Sequence, residues 1–187
     1  MKKISLIITA LLLIVWVSGC AFGTRHLTLG YEKGTVSKPQ NNIMIYVKSF
    51  VDDRLDKEVC GRVRNGWGLE CAKIVSNTDI SEWVTNAMKA ELNNLGYTVT
   101  NYDTKNRVEG SVIEVNVTSM MMYEGKVLLE ISLFQDNEEL FSRKYQGTEQ
   151  TVNWAARAKS YGITLERSLQ KSIVEAANDI DRKLSVR

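Results

Sequence analysis

Cys20 is the residue best placed for chemistry, at the end of the tetrapeptide Val17-Ser18-Gly19-Cys20. This tetrapeptide resembles a lipobox, where a bacterial lipoprotein precursor is cleaved and the new first residue is acylated. The preceding residues have the form of a signal peptide: Lys2 and Lys3, then an apolar run over Ile4–Trp16. The run is shorter than the ~20 residues that a transmembrane helix needs. We therefore predict a lipid anchor, with a retained transmembrane helix as the weaker alternative.

The predicted modification of Cys20 is a diacylglycerol thioether, together with an N-acyl chain such as palmitate. Two or more acyl chains attach a protein stably to a membrane, whereas one does not. Ala21 stands where lipoproteins retained in the inner membrane of enteric bacteria commonly have Asp. We therefore expect an outer-membrane protein on the periplasmic side of a Gram-negative cell, although exposure at the cell surface stays open.

Cys60 and Cys71 are the two cysteines that remain once Cys20 is acylated. The periplasm is oxidising, and the pair flanks the turn signal Asn65-Gly66, so we predict a Cys60–Cys71 disulfide across a hairpin. A bridge closing so short a loop would contribute roughly 2–3 kcal/mol on the chain-entropy model. Two free buried thiols are the main alternative. A metal site is disfavoured because the single histidine, His26, lies far upstream.

Catalytic groups are scarce in this sequence. A Ser-His-Asp or Cys-His system needs a histidine base, and His26 lies close to the predicted anchor. Asp52-Asp53 and Glu138-Glu139 are adjacent pairs, so on a strand their side chains would face opposite ways. The sequence contains no GxxxxGK[ST] loop and no HExxH motif. We therefore predict a protein that is not an enzyme and binds no cofactor or metal.

The charge balance excludes one class of partner. The chain has 24 basic and 22 acidic residues, and loss of Lys2 and Lys3 with the signal leaves 22 of each. A nucleic-acid-binding domain carries a basic excess, so no nucleic-acid partner is expected.

Two stretches are candidates for contact with a partner. Phe50–Arg54 ends a strand with acidic and basic residues, which marks either a functional rim or a surface Asp53–Arg54 ion pair worth about 0–1 kcal/mol. The run Met120–Tyr123 is either core packing at a strand end or an adaptable binding patch. The interaction surface that we predict consists of Trp67, Met121, Tyr123 and Trp154.

Hydrophobic periodicity predicts the elements that position these residues. Alternation predicts a short strand near Leu27–Tyr31 and a central strand at Ile43–Val47. Helical spacing from Ile80 predicts a helix capped by Thr78 or Asp79 and ended by Gly96. A second amphipathic helix is predicted within residues 154–185, with Gly162 as a break that would start it near Thr164.

Between the helices, residues 107–151 alternate with period two and predict a three-stranded antiparallel meander. Its turns are predicted near Tyr123-Glu124-Gly125 and near Asp136-Asn137-Glu138. The adjacent apolar pair Val112-Ile113 suggests a β-bulge or a strand buried on both faces.

The predicted fold is α+β: one domain with an antiparallel or mixed sheet and two amphipathic helices packed on one face. Residues 1–19 are predicted as the lipoprotein signal peptide, and residues 20–42 as the lipidated cysteine, tether and short first strand. Residues 43–187 are predicted as the α+β periplasmic domain.

The combination of the lipobox, Asp53-Arg54, the Asn65-Gly66 turn, the meander and the final helix resembles the YajG-type outer-membrane lipoproteins. The strongest element is the stretch from Trp83 to Val99, where a helix passes through Gly96 into a strand. The layout is also similar to the wider lipoprotein group with a TolB N-terminal-like or CsgG-like core. The resemblance implies assembly roles in the envelope and brings no catalytic residues.

Two functions therefore compete. The first is a non-enzymatic lipoprotein that acts as an accessory or assembly factor through contacts with envelope proteins or with copies of itself. The second is a binding module for an envelope polymer or small ligand, such as peptidoglycan or polysaccharide. A concave aromatic cluster of Trp67, Tyr123 and Trp154 would favour the second function, and a flat apolar rim would favour the first.

Overall fold

The computed structural model describes residues 23–34, 38–120, 122–152 and 158–185. Within these ranges the chain forms one nine-stranded mixed sheet and two helices, which confirms the predicted α+β class. The strands are β1 (Arg25–Leu27), β2 (Met44–Val47), β3 (Val51–Asp52), β4 (Gly61–Arg64), β5 (Glu70–Ser76), β6 (Thr98–Thr100), β7 (Asn106–Ser119), β8 (Met122–Gln135) and β9 (Glu138–Val152). The helices are α1 (Ile80–Asn94) and α2 (Ala158–Ser185).

Strand β7 organises the sheet. Along one edge it pairs antiparallel with β8, and β8 pairs antiparallel with β9. Along the other edge the short strands β2, β3 and β4 pair with it in parallel, one after another. Strand β6 extends the sheet from β2, whereas β5 and then β1 extend it from β4. The sheet therefore has two distinct ends, one where β7 begins and one where β7 finishes.

The predicted meander is confirmed as β7, β8 and β9, with one turn in a different place. The turn at Asp136 and Asn137 is present, with both residues at positive φ (53° and 67°). The predicted turn at residues 123–125 is wrong, because Ser119 pairs with Tyr123 and the chain reverses between them. The predicted bulge is confirmed: Val112 pairs with Leu129 and Glu114 with Leu128, which leaves the residue between them unpaired.

Helix α1 has the ends that the sequence predicts. The Asp79 carboxylate caps it by accepting a hydrogen bond of 2.8 Å from the backbone N–H of Glu82. After the helix, Gly96 takes the left-handed conformation (φ 91°) that ends helices at low cost. Helix α2 differs from the prediction, since it is already formed at Ala158 and Gly162 lies inside it rather than breaking it.

The core lies between the sheet and the helices. The buried stripe of α2 contains Leu165, Leu169, Ile173, Ala176, Ala177, Ile180 and Leu184. It packs against the side chains of β8 that alternate toward the helices: Val127, Leu129, Ile131 and Leu133. Helix α1 contacts α2 and joins the same hydrophobic cluster. Both helices therefore cover one face, as predicted, and the opposite face of the meander carries polar side chains such as Glu124 and Gln146.

Candidate interaction surface

The described residues offer no assembled metal site. No group of three or more His, Cys, Asp or Glu side chains in those ranges could hold a metal ion. The His26 ring nitrogen Nδ1 lies 3.2 Å from the Asn77 side-chain oxygen, at an exposed position. A cleft of about 720 Å³ separates residues 26–34 from α2. Glu166, on α2, lines this cleft, and its carboxylate accepts a hydrogen bond of 2.8 Å from the Gly30 N–H. This hydrogen bond ties the segment to the helix.

Arg54 is a buried structural residue rather than part of a functional rim. Its side chain pairs with Asp52 through two hydrogen bonds of 2.9 Å, and not with Asp53 as predicted. It also donates to the backbone carbonyls of Lys57 and Val59. Partial burial acts to raise the pKa of Asp52, but the hydrogen bonds and charge of Arg54 outweigh it and lower that pKa below its usual value. The guanidinium therefore fixes the loop that leads into β4.

The predicted disulfide is wrong, because Cys60 and Cys71 are not bonded to each other. The hairpin is present, but Gly61 pairs with Ile74, so Cys60 lies about four residues along β5 from Cys71. At about 3.4 Å per residue that offset exceeds the Cα separation of 4.4–6.8 Å that a disulfide requires. Cys71 is the extra residue of a bulge, because Val63 pairs with Ala72 and Arg64 with Glu70.

The hairpin turn exposes Trp67. The backbone N–H of Gly68 donates to the carbonyl of Asn65, and Gly68 has φ 80°. The Asn65 side-chain oxygen accepts hydrogen bonds of 3.0 Å from the backbone N–H groups of Trp67 and Leu69. These contacts close the turn without the Trp67 side chain, which is 87% exposed. The turn therefore presents an indole to the surroundings.

Strand pairing brings this turn beside the end of the meander. Strand β4 runs parallel to β7 with Val63 opposite Ser119, so the hairpin turn lies at the end where β7 finishes. Met122 pairs with Val152, which places the end of β9 there as well. We call the exposed apolar side chains at this end the apolar rim: Trp67, Leu69, Met120, Met122 and Val152. Of the predicted surface residues, Met121 and Trp154 lie outside the described residues, as does Cys20.

Tyr123 lies beneath the rim, and its assignment to an interaction surface is wrong. Its side chain is 1% exposed and meets the ring of Tyr161 edge to face, with centroids 4.7 Å apart. The Tyr161 hydroxyl lies 2.8 Å from the Ser119 hydroxyl, and the Arg25 guanidinium lies 5.8 Å from the Tyr161 ring centroid. This cluster joins β1, β7, β8 and α2. Side chains of β8 alternate between the two faces of the sheet, and Tyr123 lies on the same face as the buried residues Val127, Leu129 and Ile131. This alternation in the sequence indicates that Tyr123 is buried.

The chain enters the fold from the rim end. Strand β1 runs parallel to β5 and therefore opposite to β7, with Arg25 opposite Ile74. Ile74 in turn pairs with Gly61, and Gly61 with Val117, close to the end of β7. Arg25, where β1 begins, therefore lies toward the end of the sheet that carries the apolar rim.

Comparison with known proteins identifies a fold and no family. No family model matches the chain, and no curated protein matches it. Protein XCC0632 from Xanthomonas campestris, of the family DUF330, has a similar structure with a TM-score of 0.61 and 11% identity, over 88% of this chain and 99% of that one. The hypothetical protein CT253 from Chlamydia trachomatis gives a TM-score of 0.56 and 5% identity, over 78% of this chain and 100% of that one.

A weaker match is the uncharacterized lipoprotein B from Nitrosomonas europaea, with a TM-score of 0.43 and 11% identity over 85% of this chain and 97% of that one. The two better matches show that the chain shares a fold with whole, separately solved proteins. Among the described helices, none is long and apolar enough to cross a membrane.

Proposed function

We propose that this chain is a non-enzymatic, lipid-anchored protein of the outer membrane that faces the periplasm and works through contacts with other envelope proteins. The observation that carries the proposal is the short separation in sequence between Cys20 and the first strand of the fold. Strand β1 begins at Arg25, five residues after the lipobox cysteine. A chain of that length reaches at most about 18 Å, so acyl chains on Cys20 would hold the domain at the bilayer surface.

The same proposal places the chain with the YajG-type lipoproteins and the wider group with a TolB N-terminal-like or CsgG-like core. The mixed sheet built around β7 and the passage from α1 through Gly96 into β6 are compatible with that group. The TM-score of 0.61 to a DUF330 protein supports the fold.

Strand β9 supports the choice of protein contacts. Within the described chain it pairs only with β8, so one edge of a 15-residue strand is left without a neighbouring strand. Strand edges of this kind pair with segments of other proteins. Lys144, Gln146 and Thr148 are exposed along it and project from the polar face of the sheet.

The competing function, a binding module for peptidoglycan, polysaccharide or a small ligand, has less support. The sequence feature that would favour it is a concave cluster of Trp67, Tyr123 and Trp154. Because Tyr123 is buried against Tyr161, that three-residue cluster cannot form on the surface.

In vivo photo-crosslinking of the full-length lipidated protein tests the proposal. A photoreactive amino acid at Gln146, on β9, is compared with the same amino acid at Asn86, which is exposed on α1. We expect a discrete envelope-protein adduct at Gln146, identified by mass spectrometry, and a much weaker one at Asn86. Adducts with glycan alone would favour the binding module, and equal labelling at both positions would contradict a β9 interface.

A further inference from the structure

We propose that the apolar rim contacts the bilayer that holds the lipid anchor, and that this contact sets the orientation of the domain. The inference rests on the lipid anchor of the proposed function and adds a second point of membrane contact. The rim contacts the same leaflet into which the acyl chains of Cys20 insert.

The course of the chain limits what the rim can face. Strand β1 begins toward the rim end, and an extended chain from Cys20 to Arg25 spans at most about 18 Å. The end of the sheet where β7 finishes must therefore lie near the membrane surface. The opposite end, where Met44 and Tyr102 are exposed beside each other, is separated from it by the length of the 14-residue strand β7.

The side chains of the rim suit a membrane interface. Single exposed apolar residues are ordinary, whereas a contiguous group at one end of a sheet marks a contact site. Trp is enriched where hydrocarbon meets headgroups, because its ring is apolar and its indole N–H can remain hydrated. Trp67 stands at the tip of a closed turn with Leu69 beside it. Met120 and Met122 add flexible side chains that adapt to an irregular surface.

Basic side chains at this end suit anionic headgroups. Arg25, at the start of β1, and Lys159, in the first turn of α2, lie at the rim end of the described chain. Arg64 is at this end as well, opposite Glu70 on β5. Basic residues beside an apolar patch are attracted to anionic lipids.

Quenching of tryptophan fluorescence tests the contact. The mature lipidated protein is reconstituted in phosphatidylethanolamine–phosphatidylglycerol vesicles whose acyl chains carry bromine, a short-range quencher. The emission of Trp67 is the difference between wild type and Trp67→Phe. The matched control is Tyr102→Trp in the Trp67→Phe background, which puts an exposed indole at the opposite end. We expect loss of the Trp67 emission in brominated vesicles and no loss for the control.

Flotation of the same vesicles separates the two proposals. If the protein floats with the vesicles but Trp67 is not quenched, the anchor stands and the rim contact is wrong. If Trp67 is shielded instead by a second copy, seen as a crosslinked dimer, the rim is a protein interface and the inference fails. If the protein does not float and carries no lipid, the proposed function itself fails, and the rim contact fails with it.

Discussion

The backbone of Ser168 in α2 lies against Gly147 in β9, in the space that a Cβ atom at Gly147 would occupy. A Cβ at Gly125 on β8 would likewise meet the Ser168 hydroxyl oxygen at 2.7 Å. The buried small side chains Thr164, Ser168 and Ser172 give this part of α2 a narrow face. Small residues on both sides therefore let the helix approach β8 and β9 closely.

Replacing Gly147 with Ala should destabilise the fold strongly. Overpacking of a core typically costs 1–3 kcal/mol, and here the added methyl meets helix backbone, which cannot rotate away. The matched control is Gly66→Ala, because a Cβ there meets nothing within 4 Å. Urea unfolding should give a reduced free energy for the Gly147 variant alone. Equal stability of the two variants would show that α2 does not pack in this position.

The centre of the α2 stripe should carry much of the core energy. Leu169 and Ile173 are fully buried, so replacing either with Ala should cost about 2–5 kcal/mol through lost burial and the cavity left behind. Asn178→Ala, on the exposed side of the same helix, should change the free energy of unfolding little. If the melting temperatures of all three variants match wild type, the stripe does not face the core.

The Asp52–Arg54 pair should make stability fall in acid. Because the folded-state pKa of Asp52 is lowered, its stabilising contribution is present above the ordinary pKa of about 3.9. That contribution is lost as the pH falls through the lower, folded-state pKa. Asp52→Asn should therefore be less stable than wild type at neutral pH, and the difference should shrink below about pH 4. Asp56→Asn, at an exposed pair with Arg62, is the control. A difference independent of pH would contradict this account.

The two thiols should differ in reactivity and should not be joined. Burial raises the pKa of Cys60 to about 11, although the positive charge of Arg54 opposes the rise. Cys71 is partly exposed in its bulge. A maleimide added to the native protein without reductant should label Cys71 first, and Cys60 should react only after unfolding; Cys71→Ser should abolish the early labelling. A measured mass two protons below that of the dithiol, with neither cysteine labelled, would show that the disulfide forms. It would also show that the register of β4 on β5 is wrong.

Features encoded within a few residues could be predicted from the sequence. The Asp79 cap, the Gly96 helix end, the Asp136-Asn137 turn and the bulge after Val112 each depend on local backbone chemistry or on a break in alternation. The fold class and the placement of both helices on one face followed from apolar periodicity in the same way.

Features that depend on register between distant segments could not be predicted. The parallel pairing of β2, β3 and β4 along β7 joins residues far apart in sequence, and no local pattern specifies it. The disulfide prediction assumed a two-residue turn at Asn65-Gly66. The hairpin instead closes between Asn65 and Leu69, which shifts the pairing by three residues, and the bulge at Cys71 shifts it by one more. The apolar rim was missed as a unit because its members come from three separate turns and strand ends.

Mass spectrometry of the N-terminal peptide of the mature protein, purified from membranes of the cell that produces it, tests the central claim most directly. Lipid attachment at Cys20 predicts a peptide that begins at Cys20 and carries the mass of a diacylglycerol and an N-linked acyl chain. Cys20→Ser should yield an uncleaved or soluble precursor. An unmodified peptide that begins elsewhere, together with a Cys20→Ser variant that is cleaved normally and still fractionates with the outer membrane, would contradict the account.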